Sequence, residues 1–388
     1  MSSTKLKTAN IVSLDATKLT GTMPAISGAN LTGVAPFTVS ASDPVITTNP
    51  SGGLGTLWMN STSGETYILT DATAGENVWT NVGDGSGNVQ PFHGWGTISG
   101  FTCGGQQSPP SGSYQNVIDK HSFTADGNST DHADLSASRQ NPGGASSTTH
   151  GYVQGGYSAP TLHTRIDKFP FASQTNASNI ANLTQGRYGQ SGSSSTTHMY
   201  AVGGTDNSSY LDTVDKSTFS SDADSTDVGN LISGTEGCAG GNSNTHLYAS
   251  GGIAAGSTYE TRIEKISYAS DTNGISVGNL GIGRVYVVGI SSSTTGYVAG
   301  GNNSSNVKVN TIDRFSFASD GDATDSSDLT VARDNMAGTS STISGYMAGG
   351  NTGSTTNVID KFVFSTNANA IDVGDLTVTR RSASGSQY

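Results

Sequence analysis

Positive charge and cysteine are both scarce in this chain. Its 388 residues carry 18 Lys and Arg against 30 Asp and Glu, a net charge of −12, and only 12% are charged at all. A nucleic-acid binder presents a basic stripe. None is present, so no nucleic-acid partner is expected. The acidic balance suits a soluble, exposed particle. The two cysteines, Cys103 and Cys238, fall in different repeats, too far apart for a bridge to be expected. No apolar run reaches membrane-spanning length, so no membrane insertion is expected. The opening MSSTKLKTAN has no signal-peptide core, and synthesis in a cytoplasm is expected. Low charge with 52 glycines would read as disorder, but disordered chains lack aromatic and β-branched residues. Here Tyr, Phe, Ile and Val recur at fixed places. The glycine is turn chemistry in an all-β protein.

What recurs is a unit of some 48–49 residues. Gly-Gly pairs mark it at Gly104, Gly155, Gly203, Gly251, Gly300 and Gly349. An aromatic stands 3 residues before each pair (Phe101, Tyr152, Tyr200, Tyr248, Tyr297, Tyr346). After the pair comes an acid–base dipeptide: Asp119-Lys120, Asp167-Lys168, Asp215-Lys216, Glu264-Lys265, Asp313-Arg314 and Asp360-Lys361. A second aromatic follows each acid by 4 residues, and a leucine follows that aromatic by 12. Arginine follows the leucine by 4 residues, at Arg139, Arg187, Arg284, Arg333 and Arg380, with Thr235 the exception. Only the step from Gly-Gly to the acid varies in length, from 11 to 15 residues.

Each unit reads as four short strands, a to d. In the fifth they are expected near Gly289–Ser293, Gly296–Ala299, Thr311–Phe317 and Leu329–Arg333. Four antiparallel strands per repeat is the propeller pattern, and six units can close a ring. A solenoid would want polar capping repeats, and none is apparent. The first repeat has only an imperfect strand a, around Gly94–Ile98, whereas residues 381–388 match the start of a strand a. The C-terminal segment is therefore expected to complete the first blade and hide two sheet edges. The expected organisation is an N-terminal segment (1–42), a small β module (43–90) and a six-bladed β-propeller (91–388).

The Gly-Gly after a strand, with its following aromatic, resembles kelch-type propellers, although the usual kelch tryptophan is missing. The run Ile312-Asp313-Arg314-Phe315-Ser316-Phe317-Ala318-Ser319-Asp320 resembles propeller repeats in virion proteins of marine tailed bacteriophages, a likeness covering about three quarters of the chain. Leu14 to Leu31, LDATKLTGTMPAISGANL, resembles shaft segments of phage fibres, which are usually trimers. Such a segment cannot bury a core alone. Residues 43–90, with Leu57-Trp58-Met59, Thr66-Tyr67-Ile68-Leu69 and Val78-Trp79-Thr80, resemble a small β module near the start of such proteins. The resemblance implies a phage virion structural protein, a tail fibre or a capsid fibre or decoration. It implies an N-terminus that meets other virion proteins as a homotrimer, and a propeller that binds a host-surface glycan or protein. The other class is a propeller glycosidase or oxidase acting on surface polysaccharide.

The candidate binding residues lie in the variable b–c connections, because loops on a rigid scaffold carry function. They are Tyr114, Tyr157, His163, Arg165, Tyr210, Tyr259 and Arg262. Tyrosines there suit glycan or protein contacts. No catalytic residues, cofactor or metal site are assigned. His150, His198 and His246 share one repeat position, which descent from one unit explains without a metal. Acids in the c–d turns (Asp126 to Asp131, Asp222 to Asp227, Asp320 to Asp325) could hold Ca²⁺, but Asx-turn chemistry explains them as well. Trp58 and Trp79 are expected in a core rather than as a sugar platform. The strand-c acid is expected to pair with the strand-d arginine, and the blade bounded by Thr235 to treat its acid differently.

Overall fold

A computed structural model describes residues 37–82, 94–108 and 113–388. The chain is all-β, with only one short 3-10 turn, Ala255–Ser257, among the described residues. It divides into two units, Met1–Pro91 and Phe92–Tyr388. The fibre-like stretch Leu14 to Leu31 lies outside the described residues.

In the first unit, four strands form one sheet in chain order: Phe37–Ser40, Leu57–Asn60, Thr66–Asp71 and Val78–Asn81. The first pairs parallel with the second, so this sheet begins before residue 43, where the small module was expected to start. The misplacement has a simple cause: four residues with one exposed face carry too little pattern to be read. The alternation of Thr66–Asp71 buries Tyr67 and Leu69 against a fully buried Trp79. Trp58 meets Trp79 edge to face, ring centroids 5.8 Å apart. Trp79 is core, as expected, and Trp58 packs half-buried against it.

The second unit holds six four-stranded antiparallel sheets among the described residues. In the fifth, the strands are Val288–Ser291, Thr295–Ala299, Thr311–Ser316 and Thr324–Asp328. Strand d thus precedes the repeat leucine and does not contain it, a correction to the Leu329–Arg333 expectation. The outer strand is polar and half solvated, so it carries no hydrophobic signal. Leu329 follows it directly, buried, with its N–H bonded to the Asn310 carbonyl. In the first sheet, strand a is the C-terminal segment: Ser384–Gln387 pairs antiparallel with Ser99–Cys103, Ser384 opposite Cys103. Strands Val117–Ser122 and Thr130–Asp134 complete that sheet.

Strands a of the six sheets touch in succession: Gly143–Ser146, Ser191–Ser194, Ala239–Asn242, Val288–Ser291, Ala337–Ser340, Ser384–Gln387, and then Gly143–Ser146 again. Each has a central glycine, and the spacing forbids anything larger. A Cβ at Gly385 would lie 1.9 Å from the Gly338 carbonyl oxygen. The residue two positions before each strand a has a positive φ: Asn141, Gly189, Gly237, Tyr286, Asn335 and Ser382. Their backbones bond to one another in one rotational sense. Gly189 N–H donates to Asn141 C=O, Gly237 to Gly189, Tyr286 to Gly237, Asn335 to Tyr286, Ser382 to Asn335 and Asn141 to Ser382, at 2.7–3.0 Å. The left-handed conformation turns each amide toward its neighbour.

The two repeated aromatics join adjacent sheets. Each strand-b ring meets the ring that follows strand c of the next sheet: Phe101 with Phe171, Tyr152 with Phe219, Tyr200 with Tyr268, Tyr248 with Phe317, Tyr297 with Phe364 and Tyr346 with Phe123. Centroids are 4.7–5.1 Å apart. Offset and tilted pairs at this distance add about 1 kcal/mol each beyond burial. The constant internal spacings of the repeat maintain this contact.

Candidate functional site

The repeated charges must first be separated from the site, because they serve the scaffold. Each strand-c acid stands where the c–d ladder shifts register, for example between Ile312 and Asp313. A bulge re-aims a side chain, and here it turns the acid toward the arginine of the preceding sheet. Arg139 meets Asp167 at 2.9 Å, Arg284 meets Asp313 at 2.8 Å, Arg333 meets Asp360 at 3.2 Å and Arg380 meets Asp119 at 2.8 Å. Arg187 pairs likewise with Asp215. These pairs are buried. Most of the acids also accept from a backbone N–H and a hydroxyl, as Asp167 does from Ser136 and Asp360 from Thr330. Gly281 stands at the repeat position of that hydroxyl residue in the sheet before Asp313, and burial holds the Asp313 carboxyl above the usual range. The expected acid–arginine pairing is thus present, and it crosses from one sheet to the next.

Thr235 breaks the series. Its acid, Glu264, pairs instead with Arg262 on its own strand, Nε to Oε1 2.7 Å, and accepts the Ile232 N–H. Glutamate's extra methylene lets the acid reach this local partner.

The acid-rich c–d turns tie sheets together as well. Lys168, Lys216, Lys265 and Lys361 reach Asp222, Asp271, Asp320 and Asp126 of the next sheet at 2.6–3.0 Å. The Asp224 and Asp322 carboxylates accept the N–H groups of Asn182 and Asn279. His150, His198 and His246 each bond through Nδ1 to the preceding threonine hydroxyl at 2.8 Å. Among the described residues no three His, Cys, Asp or Glu side chains gather as a metal-binding group.

The structure distributes the seven candidate residues unequally. Arg165 and Arg262 begin strand c rather than lying in the connections. Arg165 donates to the Ser136 hydroxyl at 2.7 Å, and Arg262 is taken by Glu264 and Glu260. His163 is buried, its Nε2 2.7 Å from the Ser158 hydroxyl, and burial pushes its pKa down to about 4. Tyr259 pairs with Ile253 in a short ribbon. Three tyrosines do come together, through a fourth that sequence reasoning missed. Tyr114 lies 6.2 Å from Tyr157, and Tyr157 lies 5.3 Å from Tyr188 (centroid distances). Tyr188 in turn feels Tyr210 and Glu236.

This row leads to a groove of about 800 Å³ between the connections of the third and fourth sheets. Tyr188, Tyr210, Asn207, Ser233, Glu236 and Glu260 are on its walls. One wall is the turn Thr205–Tyr210, where Asn207 is left-handed at φ 70° and Asp206 accepts the N–H groups of Ser208 and Ser209. The other wall is a three-stranded ribbon of Thr235–Glu236, Ile253–Ala254 and Thr258–Tyr259. Glu236 follows the one residue that replaces the repeat arginine. It is 7% exposed, and its carboxylate accepts a long 3.4 Å bond from the Tyr286 hydroxyl. Burial raises its carboxyl to about 7. Burial and the facing carboxylate raise Tyr286 above the usual phenol range. Glu260, by contrast, is held by Arg262 at 3.4 Å. The sequence signal was the Thr235 exception and the residue beside it, at the position where other repeats carry Gln140, Tyr188, Val285, Asp334 and Arg381.

No protein-family model and no curated protein matches the sequence. The fold is widely shared: 343 solved chains resemble it, so it does not single out an activity. One is the structure of YjhT, with a TM-score of 0.54 and 12% identity, over 64% of this chain and 88% of that one. At that identity the likeness concerns the fold alone.

Proposed function

We propose that this chain is a structural protein of a bacteriophage virion, a tail fibre or a capsid fibre or decoration. Its large unit is a six-bladed kelch-like β-propeller that binds a glycan or protein on the host surface. The propeller reading draws support from the six sheets, the successive contacts of their inner strands and the pairing of Ser384–Gln387 with Ser99–Cys103. The virion reading draws support from the repeat wording and from the fibre-like N-terminal segment, which would trimerise and meet other virion proteins.

The observation that carries the binding reading is the rim groove. It is the place where a tyrosine row, hydroxyl and amide groups and a carboxylate with no cation partner among the described residues converge. Aromatic faces with a few polar groups are what concave ligand sites use. The test is binding of the purified chain to extracted host-envelope polysaccharide and protein, with Tyr188→Ala and Tyr210→Ala beside it. Both variants are expected to lose at least about tenfold in affinity. Unchanged binding by both would refute the site. Three-fold assembly through residues 1–42, seen by electron microscopy of purified particles, tests the virion reading.

A second reading rests on Glu236 and Glu260, two carboxyls in one groove with different environments. Glycosidases divide acid and base roles between such a pair. Release of reducing ends from host polysaccharide, abolished by Glu236→Gln, would favour that enzyme over a binding protein.

A further inference from the structure

The groove has a chemical bias that its hydroxyl-rich walls alone do not explain. Glu236 is buried, yet no lysine, arginine or histidine pairs with it among the described residues. Other buried strand-c acids have a cation, as Asp167 has Arg139 and Asp313 has Arg284, and the half-buried groove acid Glu260 has Arg262. A lone buried carboxylate is costly. Here it faces a groove, with Tyr188 and Tyr286 beside it. Aromatic rings and a carboxylate together form a cation site, because the ring face and the acid attract the same charge.

We propose that this groove binds an amino sugar carrying a free, protonated amine, and that Glu236 receives the ammonium while Tyr188 and Tyr210 receive the sugar face. A sugar is favoured over a lysine side chain by the groove's volume of about 800 Å³ and by Asn207, Ser209 and Ser233 in its lining, which offer donors and acceptors for ring hydroxyls. Burial already raises the Glu236 carboxyl to about 7. A bound ammonium would hold it ionised and satisfy it. The proposal rests on the groove being a binding site, and its test separates the two ideas.

The full chain is titrated by calorimetry at pH 7.5 with a glucosamine oligomer and with the same oligomer fully N-acetylated. Acetylation removes the charge and leaves the ring and hydroxyls. The free amine form is expected to bind roughly tenfold tighter, the value of one charge-assisted hydrogen bond. Its affinity should fall with added salt while that of the acetylated form does not. Glu236→Gln should abolish the preference, and the salt arm needs no variant to fold. Equal binding of both oligomers by the wild type, with no salt effect, would overturn the amine proposal and leave the glycan reading standing. Binding of neither oligomer would overturn the amino-sugar assignment. So would selective binding of a lysine-rich peptide, which would point to a protein ligand.

Discussion

Removing residues 384–388 takes away strand a of the first sheet and leaves the other five complete. The loss can be worked from the contacts. Ser384–Gln387 faces Ser99–Cys103 at four registered positions. The Tyr388 N–H donates to the Ser99 carbonyl at 2.8 Å, and the Tyr388 carbonyl accepts from Thr97, Ile98 and Ser99. Gln387 N–H donates to the Ser146 hydroxyl at 2.9 Å, and the Ser386 hydroxyl to the Ala145 carbonyl at 3.1 Å. About six such bonds at roughly 1 kcal/mol net sum to about 6 kcal/mol. The Tyr388 ring also stacks on Phe171 at 5.2 Å, worth about 1 kcal/mol more. Against a total stability of about 5–15 kcal/mol, the truncated unit should unfold at a much lower temperature. It should also lose hydrogen-exchange protection first at Phe101 and Cys103. Calorimetry and exchange read both effects. Gly385→Val perturbs the same strand without shortening the chain, since a Cβ there meets the Gly338 carbonyl oxygen at 1.9 Å. An unchanged unfolding midpoint for both variants would refute the idea that this strand holds the first sheet to its neighbours.

Two further outcomes test the buried charges. Arg284→Met leaves Asp313 buried without its cation and should cost about 3–5 kcal/mol, whereas Arg284→Met with Asp313→Leu should recover most of that loss in denaturant titrations. For Glu236 the native pKa is raised, so the folded state binds the extra proton between about 4.5 and about 7. Stability from this group is therefore full below the unfolded value and lost as pH rises through the folded one. Glu236→Gln, which cannot ionise, should be more stable than wild type at pH 8 by up to about 3 kcal/mol, with the gap closing toward pH 4. A gap that does not change with pH would refute the buried, unpaired carboxylate.

Much of the scaffold was legible because the repeat prints its packing six times over. The acid, the arginine and both aromatics were visible by position, and so was the one departure at Thr235. Other features carried no local signal. Thr324–Asp328 is an outer strand with a solvated, polar face, so hydrophobic alternation could not reveal it. The central glycine of strand a, as at Gly144 and Gly385, is one among 52 glycines. Its necessity comes only from a carbonyl on another sheet. Arg165 and Arg262 read as loop cations because the sequence marks where a connection varies and not where the next strand begins.

The groove shows the same division. Sequence alone determined an all-β chain of repeated four-stranded units, the single variable connection in each, and the residue at which repeat symmetry fails. Those are local properties, set by spacing, turn chemistry and side-chain type. That Tyr188 stands beside Tyr157, and that Glu236 is buried at a groove with no cation partner among the described residues, was decided only when residues from separate repeats met. Burial and charge pairing depend on neighbours distant in the chain, and only the folded structure supplies them.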